Sequence, residues 1–218
     1  MQKITIFAGH YGSGKTNLAV NAAIRLRERY ESVILCDLDI VNPYFRTKDS
    51  REVLARCGVR LISPMFANTN VDVPYLPAEV AAIFTDAVSV IDVGGDDAGA
   101  VALGQYAKRI EDAGYRMLLV LNRRRYLTRE PEEAVKIMHE IEAVSKLKFT
   151  GLVNNTNLGV ETTADIITEA REYIQEVSRR TSLPVVATSY REDLSPALDE
   201  RDGEAWPIRI YGKPGWVI

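Results

Sequence analysis

The chain has 218 residues, of which 46% are hydrophobic and 26% are charged, as is typical of a globular protein with a sizeable core. Its formal net charge of −3 gives no general attraction to nucleic acid, so we expect no clear nucleic-acid binding. No apolar run is long enough to span a bilayer, and the chain begins directly with a predicted strand. Cys36 and Cys57 form neither a CxxC pair nor a metal-binding cluster. We therefore expect one cytoplasmic domain over residues 1–218.

The first predicted strand, Lys3 to Ala8, leads into a glycine-rich turn and then an amphipathic helix. The turn reads GHYGSGKT and fits G-x-x-x-x-G-K-[ST], a loop that cradles phosphate. Its glycines let successive backbone N–H groups face one phosphate chain, and the helix start adds further N–H groups. We expect Lys15 to reach the β- and γ-phosphates and the Thr16 hydroxyl to bind Mg²⁺. The predicted phosphate-binding residues are Gly9, Tyr11, Gly12, Ser13, Gly14, Lys15, Thr16 and Asn17.

The second predicted strand, Val33 to Asp39, is apolar until it ends in Asp37-Leu38-Asp39. Continuous apolar character indicates a strand buried on both faces, and open α/β sheets bind ligands at the carboxyl ends of such strands. We expect Asp37 to lie near Mg²⁺ and Asp39 to orient an attacking water. The alternative is that both aspartates bond backbone N–H groups in the following turn.

Two irregular segments follow in the first half of the chain. The loop from Ile40 to Thr47 contains Tyr44-Phe45-Arg46, a combination that suits either a partner interface or a core under a mobile loop. A helix near Ser50 to Cys57 and a strand near Val59 to Ile62 come next. Residues 63–77 lack the regular spacing of apolar residues that a helix or a strand shows, and loops of this length are often functional.

The fourth predicted strand, Val88 to Val93, follows a helix near Ala78 to Asp86 and carries Asp92 at the end of an apolar run. Beside a phosphate cradle, such an aspartate typically holds Mg²⁺ through water, although it can also merely cap the next helix. Gly94 and Gly95 come directly after the strand. Either one can offer a backbone N–H to a γ-phosphate, which lets a loop sense hydrolysis.

The rest of the chain alternates regularly between strands and helices. The predicted helices cover residues 98–113, 131–145 and 162–180, and the predicted strands cover 117–121, 149–153 and 184–188. This alternation predicts an α/β fold with a mostly parallel sheet of about seven strands, flanked by helices. The apolar last stretch, with Trp206 and Trp216, should pack back on the domain. Arg123-Arg124-Arg125 follows strand 5 and suits either an anionic ligand or a solvated loop.

Taken together, these motifs resemble the MinD/ParA-type (SIMIBI class) P-loop ATPases. The resemblance rests on GHYGSGKT, the Asp-x-Asp after strand 2, DVGG after strand 4 and the late GLVNN, and it covers nearly the whole chain. More particularly, GHYGSGKT, DLDIVNPYFR and DVGGDD are similar to a small, uncharacterised family of bacterial and archaeal ATP-binding proteins. The resemblance implies a three-layer P-loop NTPase fold that binds ATP or ADP with Mg²⁺.

The resemblance also implies where the purine base binds. In this superfamily an asparagine after such a strand contacts the base, which favours Asn155 here, with Asn154 as the next candidate. A loop after the last strand, here residues 188–191 with Tyr190, usually completes the pocket. The chain lacks Asn-Lys-x-Asp, with which GTPases read guanine, and an asparagine can pair with the N6/N7 edge of adenine. We therefore expect ATP rather than GTP.

The chain departs from the family at the residue after its first glycine. The family has a lysine there that reaches across a dimer to the partner's nucleotide, whereas this chain has His10. A histidine is shorter and mostly uncharged at neutral pH, so it cannot make the same contact across a dimer. Either His10 bonds a phosphate or a neighbouring loop, or only its backbone matters.

We therefore predict a cytoplasmic, Mg²⁺-dependent ATPase that acts as a switch. ATP would order residues 42–47 and 94–99, and hydrolysis would release them and change the affinity for a partner protein or a second copy of the chain. Lys15 and Asp39 are the predicted catalytic residues, and Thr16, Asp37 and Asp92 are the predicted metal ligands. The alternatives are an ATP-dependent small-molecule kinase or ligase of the same superfamily and a nucleotide-gated metallocofactor or redox-enzyme maturation factor.

Overall fold

The computed structural model describes residues 3–39, 48–63, 78–95 and 97–211, in which strands and helices alternate. The strands are β1 (Ile4–Ala8), β2 (Val33–Asp37), β3 (Arg60–Ile62), β4 (Val88–Asp92), β5 (Tyr115–Leu121), β6 (Gly151–Asn154), β7 (Val185–Arg191) and β8 (Glu204–Ile208). The helices are α1 (Lys15–Arg27), α2 (Lys48–Arg56), α3 (Asp97–Gly104), α4 (Ala107–Ala113), α5 (Pro131–Ser145), α6 (Ala164–Glu169) and α7 (Arg171–Thr181). Short 3₁₀ turns cover Ala78–Phe84, Tyr126–Thr128, Gly159–Glu161 and Glu200–Asp202.

The strands form a single sheet in the order β3-β2-β4-β1-β5-β6-β7-β8, and every neighbouring pair is parallel. The predicted α/β fold with a parallel sheet is thereby confirmed, with eight strands instead of about seven. The additional strand is β8, part of the apolar last stretch that we expected to pack on the domain. It lies at the sheet edge, where Pro207, which has no N–H, is tolerated.

Buried side chains form two cores, one on each face of the sheet. In β1, Ile4 and Ile6 belong to one core and Phe7 belongs to the other, as the alternation of side chains along a strand requires. The first core contains buried residues of α3, α4, α5 and α7, and the second contains those of α1 and α2. The strands β1, β2 and β4 are therefore buried along their whole length, which explains their continuous apolar sequences, whereas the edge strand β8 is mostly exposed.

Some predicted helices are broken by tertiary packing. The helix expected over 98–113 is two helices, α3 and α4, and α3 ends at Gly104. A Cβ there would lie 2.8 Å from the Val144 carbonyl oxygen of α5, so the glycine permits close packing between α3 and α5. The helix expected over 162–180 is likewise split into α6 and α7. Its first helix is capped by Thr163, whose hydroxyl accepts from the Ile166 N–H at 3.4 Å.

Several predictions concern residues outside the described ranges. These are the Tyr44-Phe45-Arg46 cluster with its loop 42–47, the irregular segment 64–77, Asp96 in the second predicted switch loop, and Trp216 near the end of the chain. In the ranges that are described, no helix is long and apolar enough to cross a membrane.

Candidate functional site

The loop between β1 and α1 has a backbone that only glycine adopts readily. Gly9, Gly12 and Gly14 have positive φ values of 148°, 77° and 87°. A Cβ at Gly9 would lie 2.5 Å from the Val120 carbonyl oxygen, and a Cβ at Gly14 would collide with the Asn155 side chain. These glycines therefore let the loop lie directly against the neighbouring strand ends.

The carbonyl groups of this loop are bonded to the protein. Five consecutive carbonyl oxygens, from His10 to Gly14, accept hydrogen bonds from Lys15 Nζ, His10 Nδ1, Arg125 Nε, Asn155 Nδ2 and the Leu18 N–H respectively, over 2.6 to 3.2 Å. In a trans peptide the N–H points opposite to the carbonyl. The Gly12 and Ser13 carbonyl groups are held by side chains of neighbouring loops, whereas the Ser13 N–H is itself bonded to the His10 carbonyl at 3.2 Å, so a bound anion would compete with that bond for the N–H.

Lys15 and His10 are both bonded within this loop. Lys15 is buried, and its Nζ donates to the His10 carbonyl at 3.1 Å. His10 Nδ1 lies 3.1 Å from the Tyr11 carbonyl, and because a carbonyl only accepts, this nitrogen carries the proton. Lys15 must leave the His10 carbonyl to reach a phosphate. The His10 ring bonds the Tyr11 carbonyl of its own loop, a role that neither of the alternatives given above included.

Asp37 and Asp92 lie side by side at the ends of β2 and β4. The two residues are direct partners in the strand register, and each is only 1% exposed. Asp37 Oδ1 accepts a hydrogen bond from the Asp39 N–H at 2.8 Å, which is the turn bond considered as an alternative above. Within the described residues, Asp37 Oδ2 and both Asp92 carboxylate oxygens are buried without a well-formed hydrogen bond.

Burial makes these two carboxyl groups difficult to ionise. It raises the pKa of Asp37 to about 8, an effect that the charge of Asp92 reinforces and the Asp39 N–H opposes. It raises the pKa of Asp92 to about 6, while the Lys15 charge and the nearby Thr16 hydroxyl act in the opposite direction. Two carboxylates beside a threonine hydroxyl form an oxygen-rich group of the kind that Mg²⁺ prefers.

A metal bound here would need further ligands from outside the protein. No cluster of three or more His, Cys, Asp or Glu residues suited to a metal occurs in the part of the chain that the structure describes. Mg²⁺ is typically held by one or two carboxylates together with water and substrate phosphates. The donors present therefore fit Mg²⁺ that arrives with a nucleotide.

The glycines after β4 lie against the phosphate loop. A Cβ at Gly95 would lie 2.6 Å from the backbone N and Cα of Tyr11 and 3.1 Å from Lys15 Nζ. A Cβ at Gly99 would lie 2.6 Å from the Gly94 nitrogen. Gly95, one of the two predicted γ-phosphate sensors, is thus adjacent to the lysine predicted to bind that phosphate, whereas Gly94 lies against Gly99.

The residues predicted to bind the base lie on the other side of β1. Asn155 Nδ2 donates to the Ser13 carbonyl at 2.6 Å, and Asn155 Oδ1 accepts from Ser189 Oγ at 2.7 Å. One N–H and one lone pair of this side chain therefore remain for a base. Asn154 is also buried, and its Oδ1 accepts from the Thr156 N–H at 3.1 Å.

One expectation about the base pocket needs correction. Residues 188–191, which we expected in a loop, are the last four residues of β7, with Tyr190 half-buried. The strand extends to Arg191 because β8 pairs with it over that length.

Asn17, predicted to bind phosphate, uses its side chain elsewhere, since it bonds Arg209 and Tyr211 at 2.9 and 3.0 Å. Asn17 would therefore contact a nucleotide through its backbone N–H and not through its side chain.

The three consecutive arginines after β5 bond two different parts of the structure. Arg123 Nη1 bonds the Glu169 carbonyl at 3.3 Å, and Arg124 pairs with the Glu169 carboxylate at 3.1 Å. Arg125 Nε donates to the Gly12 carbonyl at 2.9 Å. The run therefore links the phosphate loop with the end of α6.

Asn122 organises this edge of the sheet and was absent from our predictions. Its side chain is fully buried and donates to the Asn157 carbonyl at 3.1 Å. Its Oδ1 accepts from the Arg124 and Asn157 N–H groups at 3.0 and 3.2 Å. A polar residue directly after an apolar strand is the same signal that drew attention to Asp92, so the sequence contained the means to find it.

Comparison with known proteins supports the fold. No family model and no curated protein matches the chain. Among solved structures, the cell division protein FtsY from Thermotoga maritima is 18% identical, with a TM-score of 0.53, over 91% of this chain and 63% of that chain. Chloroplast FtsY from Physcomitrella patens is 17% identical, with a TM-score of 0.53, over 91% and 60%. A nucleotide-binding protein from Archaeoglobus fulgidus in complex with ADP is 14% identical, with a TM-score of 0.50, over 91% and 84%.

The chain spans between 50% and 63% of the length of the FtsY chains it matches. At this level of identity the likeness concerns the fold and not the activity of those proteins. The chain shares the overall α/β fold of these solved structures.

Proposed function

We propose that this protein is a Mg²⁺-dependent ATPase that uses hydrolysis as a conformational switch for a partner protein. The observation that carries the proposal is the buried pair Asp37 and Asp92 at the foot of the phosphate loop. Two adjacent buried carboxylates are unfavourable unless a proton or a cation neutralises them. A divalent cation that arrives with a nucleotide would supply that charge beside Thr16 and Lys15.

The proposed roles follow from what each side chain can do. Thr16, Asp37 and Asp92 would hold Mg²⁺, which would supply positive charge to neutralise the phosphate groups. Lys15 would exchange the His10 carbonyl for phosphate oxygens. Asp39 would orient the attacking water, since its N–H bonds Asp37 Oδ1 and its backbone therefore lies beside a proposed metal ligand.

The switch is proposed from the contact between Gly95 and the phosphate loop. A γ-phosphate bound to Lys15 would meet the backbone at Gly95, so ATP and ADP would set this loop differently. Such a change alters the surface available to a partner protein or a second copy of the chain. ATP is the proposed nucleotide because Asn155 keeps one donor and one acceptor, which match the N6/N7 edge of adenine. We also propose that the protein acts in the cytoplasm, where ATP and Mg²⁺ are abundant.

Phosphate release from ATP and from GTP, with Mg²⁺ and with excess EDTA, tests the proposal. The variants are Lys15→Ala and Asp39→Asn, and Asp86→Asn is the control because Asp86 is exposed and bonds Lys3 away from the site. We expect slow release by the wild type that requires Mg²⁺ and prefers ATP. Lys15→Ala should lose nucleotide binding, Asp39→Asn should slow release by about 100-fold or more, and Asp86→Asn should behave as wild type.

The same assay separates the alternatives. Release that begins only when a metabolite is added would indicate a small-molecule kinase or ligase. Tight nucleotide binding without release under any condition would indicate a nucleotide-gated maturation factor. Normal turnover by Lys15→Ala would contradict the proposal at its centre.

A further inference from the structure

We propose that Arg125 is a positioning residue for the phosphate loop, which it holds in its anion-binding conformation from the outside. This inference deepens the proposed function and rests on it. Arg125 Nε donates to the Gly12 carbonyl at 2.9 Å, and Asn155 Nδ2 donates to the next carbonyl, that of Ser13, at 2.6 Å. Two successive peptides at the tip of the loop are thus held by side chains from two different loops, those after β5 and β6.

The loop that carries Arg125 is itself fixed. The Arg125 N–H donates to the Asn122 carbonyl at 3.0 Å, and the Arg125 carbonyl accepts from the Thr128 N–H at 3.1 Å. The Thr128 hydroxyl, which is fully buried, donates to the same Asn122 carbonyl at 2.7 Å. Because the N–H and the carbonyl of Arg125 are both bonded, the backbone position from which its side chain extends is fixed.

Gly12 is shaped to receive this guanidinium. Its φ of 77° disfavours any residue with a side chain, and a Cβ there would lie 3.1 Å from Arg125 Nε and 3.2 Å from Cζ. The absence of a side chain at Gly12 therefore gives the arginine its place. Of the three arginines in the run, Arg125 bonds the phosphate loop, whereas Arg123 and Arg124 bond Glu169.

A carbonyl held outward by a charged donor restricts the peptide that contains it. The N–H of the same peptide, that of Ser13, donates to the His10 carbonyl at 3.2 Å, so Arg125 reinforces a turn bond from the opposite side. In the absence of the arginine, the Gly12–Ser13 peptide would sample more orientations, and nucleotide binding would have to order it. A charge-assisted hydrogen bond is stronger than a neutral one, so an arginine suits this task. The Arg125 effect should apply to any ligand that occupies the loop, whether or not it carries a γ-phosphate.

The test compares Arg125→Ala, Arg125→Lys and Arg124→Ala with wild type. Arg124→Ala is a matched control, since it removes the same charge from the neighbouring residue. The affinities for Mg²⁺-ADP and for a Mg²⁺-bound non-hydrolysable ATP analogue are measured by calorimetry, together with the melting temperature of the nucleotide-free protein. We expect Arg125→Ala to weaken both nucleotides by about tenfold, and Arg125→Lys to recover part of that loss. Arg124→Ala should bind both nucleotides as wild type does. Because Arg125 is exposed, the melting temperature of the Arg125 variants should differ from that of wild type by no more than about 2 °C.

Five results would overturn the inference. Loss of affinity for the ATP analogue alone would mean that Arg125 contacts the γ-phosphate directly. A lower melting temperature with unchanged affinities would leave it a purely structural role. Equal losses in Arg124→Ala would point to the overall charge of the loop. Wild-type affinity in Arg125→Ala would remove the inference alone, whereas a wild-type protein that binds no nucleotide would remove the proposed function as well.

Discussion

The two sides of the site treat buried polar groups in opposite ways. On the phosphate side, Asp37 and Asp92 are buried as carboxyl groups with three oxygens that lack a well-formed hydrogen bond in the described residues. On the base side, the side-chain nitrogen and oxygen of both Asn122 and Asn155 are bonded to the protein. Asn154 is the exception on that side, because its buried Nδ2 has no partner within the described ranges.

This difference separates groups that receive a ligand from groups that hold the site in shape. An unsatisfied buried carboxylate lowers the stability of the nucleotide-free protein, and binding of a cation repays that cost. A buried amide whose nitrogen and oxygen are both bonded to the protein has the opposite character, since these bonds stabilise the fold whether or not a ligand is present, and Asn155 keeps one further donor and one further acceptor for a base. Substitutions on the two sides should therefore change stability in opposite directions.

The largest expected effect is the loss of stability caused by Asn122→Ala. The substitution removes a fully buried side chain and leaves the partly buried Arg124 N–H and both backbone groups of Asn157 without their partners. We expect the free energy of unfolding to fall by about 2 to 4 kcal/mol, measured by urea denaturation of the nucleotide-free protein.

Asn21→Ala is the matched control for this prediction. Asn21 also makes three hydrogen bonds, one to the Asn17 carbonyl and two to the Arg209 backbone, but it is not buried. Solvent can replace its bonds, so its loss should cost about 1 kcal/mol or less. Equal costs for the two variants would contradict the view that burial of the Asn122 network matters.

On the phosphate side, Asp92→Asn should stabilise the nucleotide-free protein. The pKa values of Asp37 and Asp92 are raised in the folded state, so their contribution to stability is fully present below about pH 4 and is lost as the pH rises through about 6 and 8. An uncharged amide at position 92 removes one of the two negative charges and can donate a hydrogen bond to Asp37. We expect a gain of about 1 to 3 kcal/mol at pH 8.5 and little difference at pH 4 to 5.

Urea denaturation of both proteins from pH 5 to pH 8.5 measures this effect. The wild type should lose stability across this range more steeply than Asp92→Asn. Addition of Mg²⁺ and an ATP analogue at pH 8.5 should reverse the order, because the variant lacks one proposed metal ligand. A variant that is less stable than wild type at pH 8.5 without ligand would contradict the assignment of Asp92 to the unsatisfied side.

The sequence predicts the phosphate side better than the base side, for a physical reason. Asp37 and Asp92 each follow an apolar run directly, and the sheet then brings neighbouring strand ends together. The bond between Asn155 and Ser13 joins residues 142 positions apart, and that between Arg125 and Gly12 joins residues 113 apart. Such contacts depend on which loops become neighbours, and no local pattern specifies that.

The same reasoning explains the errors in the predicted elements. The strand β8 contains Glu204 and Pro207 and has no strand pattern of its own, so its conformation depends on pairing with β7. The break after Gly104 depends on the approach of α5 at Val144. The parallel sheet and the position of the phosphate loop were predictable because the apolar strands, the helices between them and the GHYGSGKT motif are each continuous stretches of sequence.

The smallest expected effect concerns Ser189, which connects β7 to Asn155 on the base side. Ser189→Ala removes the hydrogen bond to Asn155 Oδ1 and leaves the amide free to turn, although its bond to Ser13 remains. We expect a stability loss of about 1 kcal/mol and a few-fold weaker binding of Mg²⁺-ADP. Thr188→Val is the control, since Thr188 is equally buried in the same strand but donates to the Asp202 carbonyl instead. It should lose similar stability with unchanged nucleotide affinity, and equal affinity losses in the two variants would mean that Ser189 acts through the strand and not through Asn155.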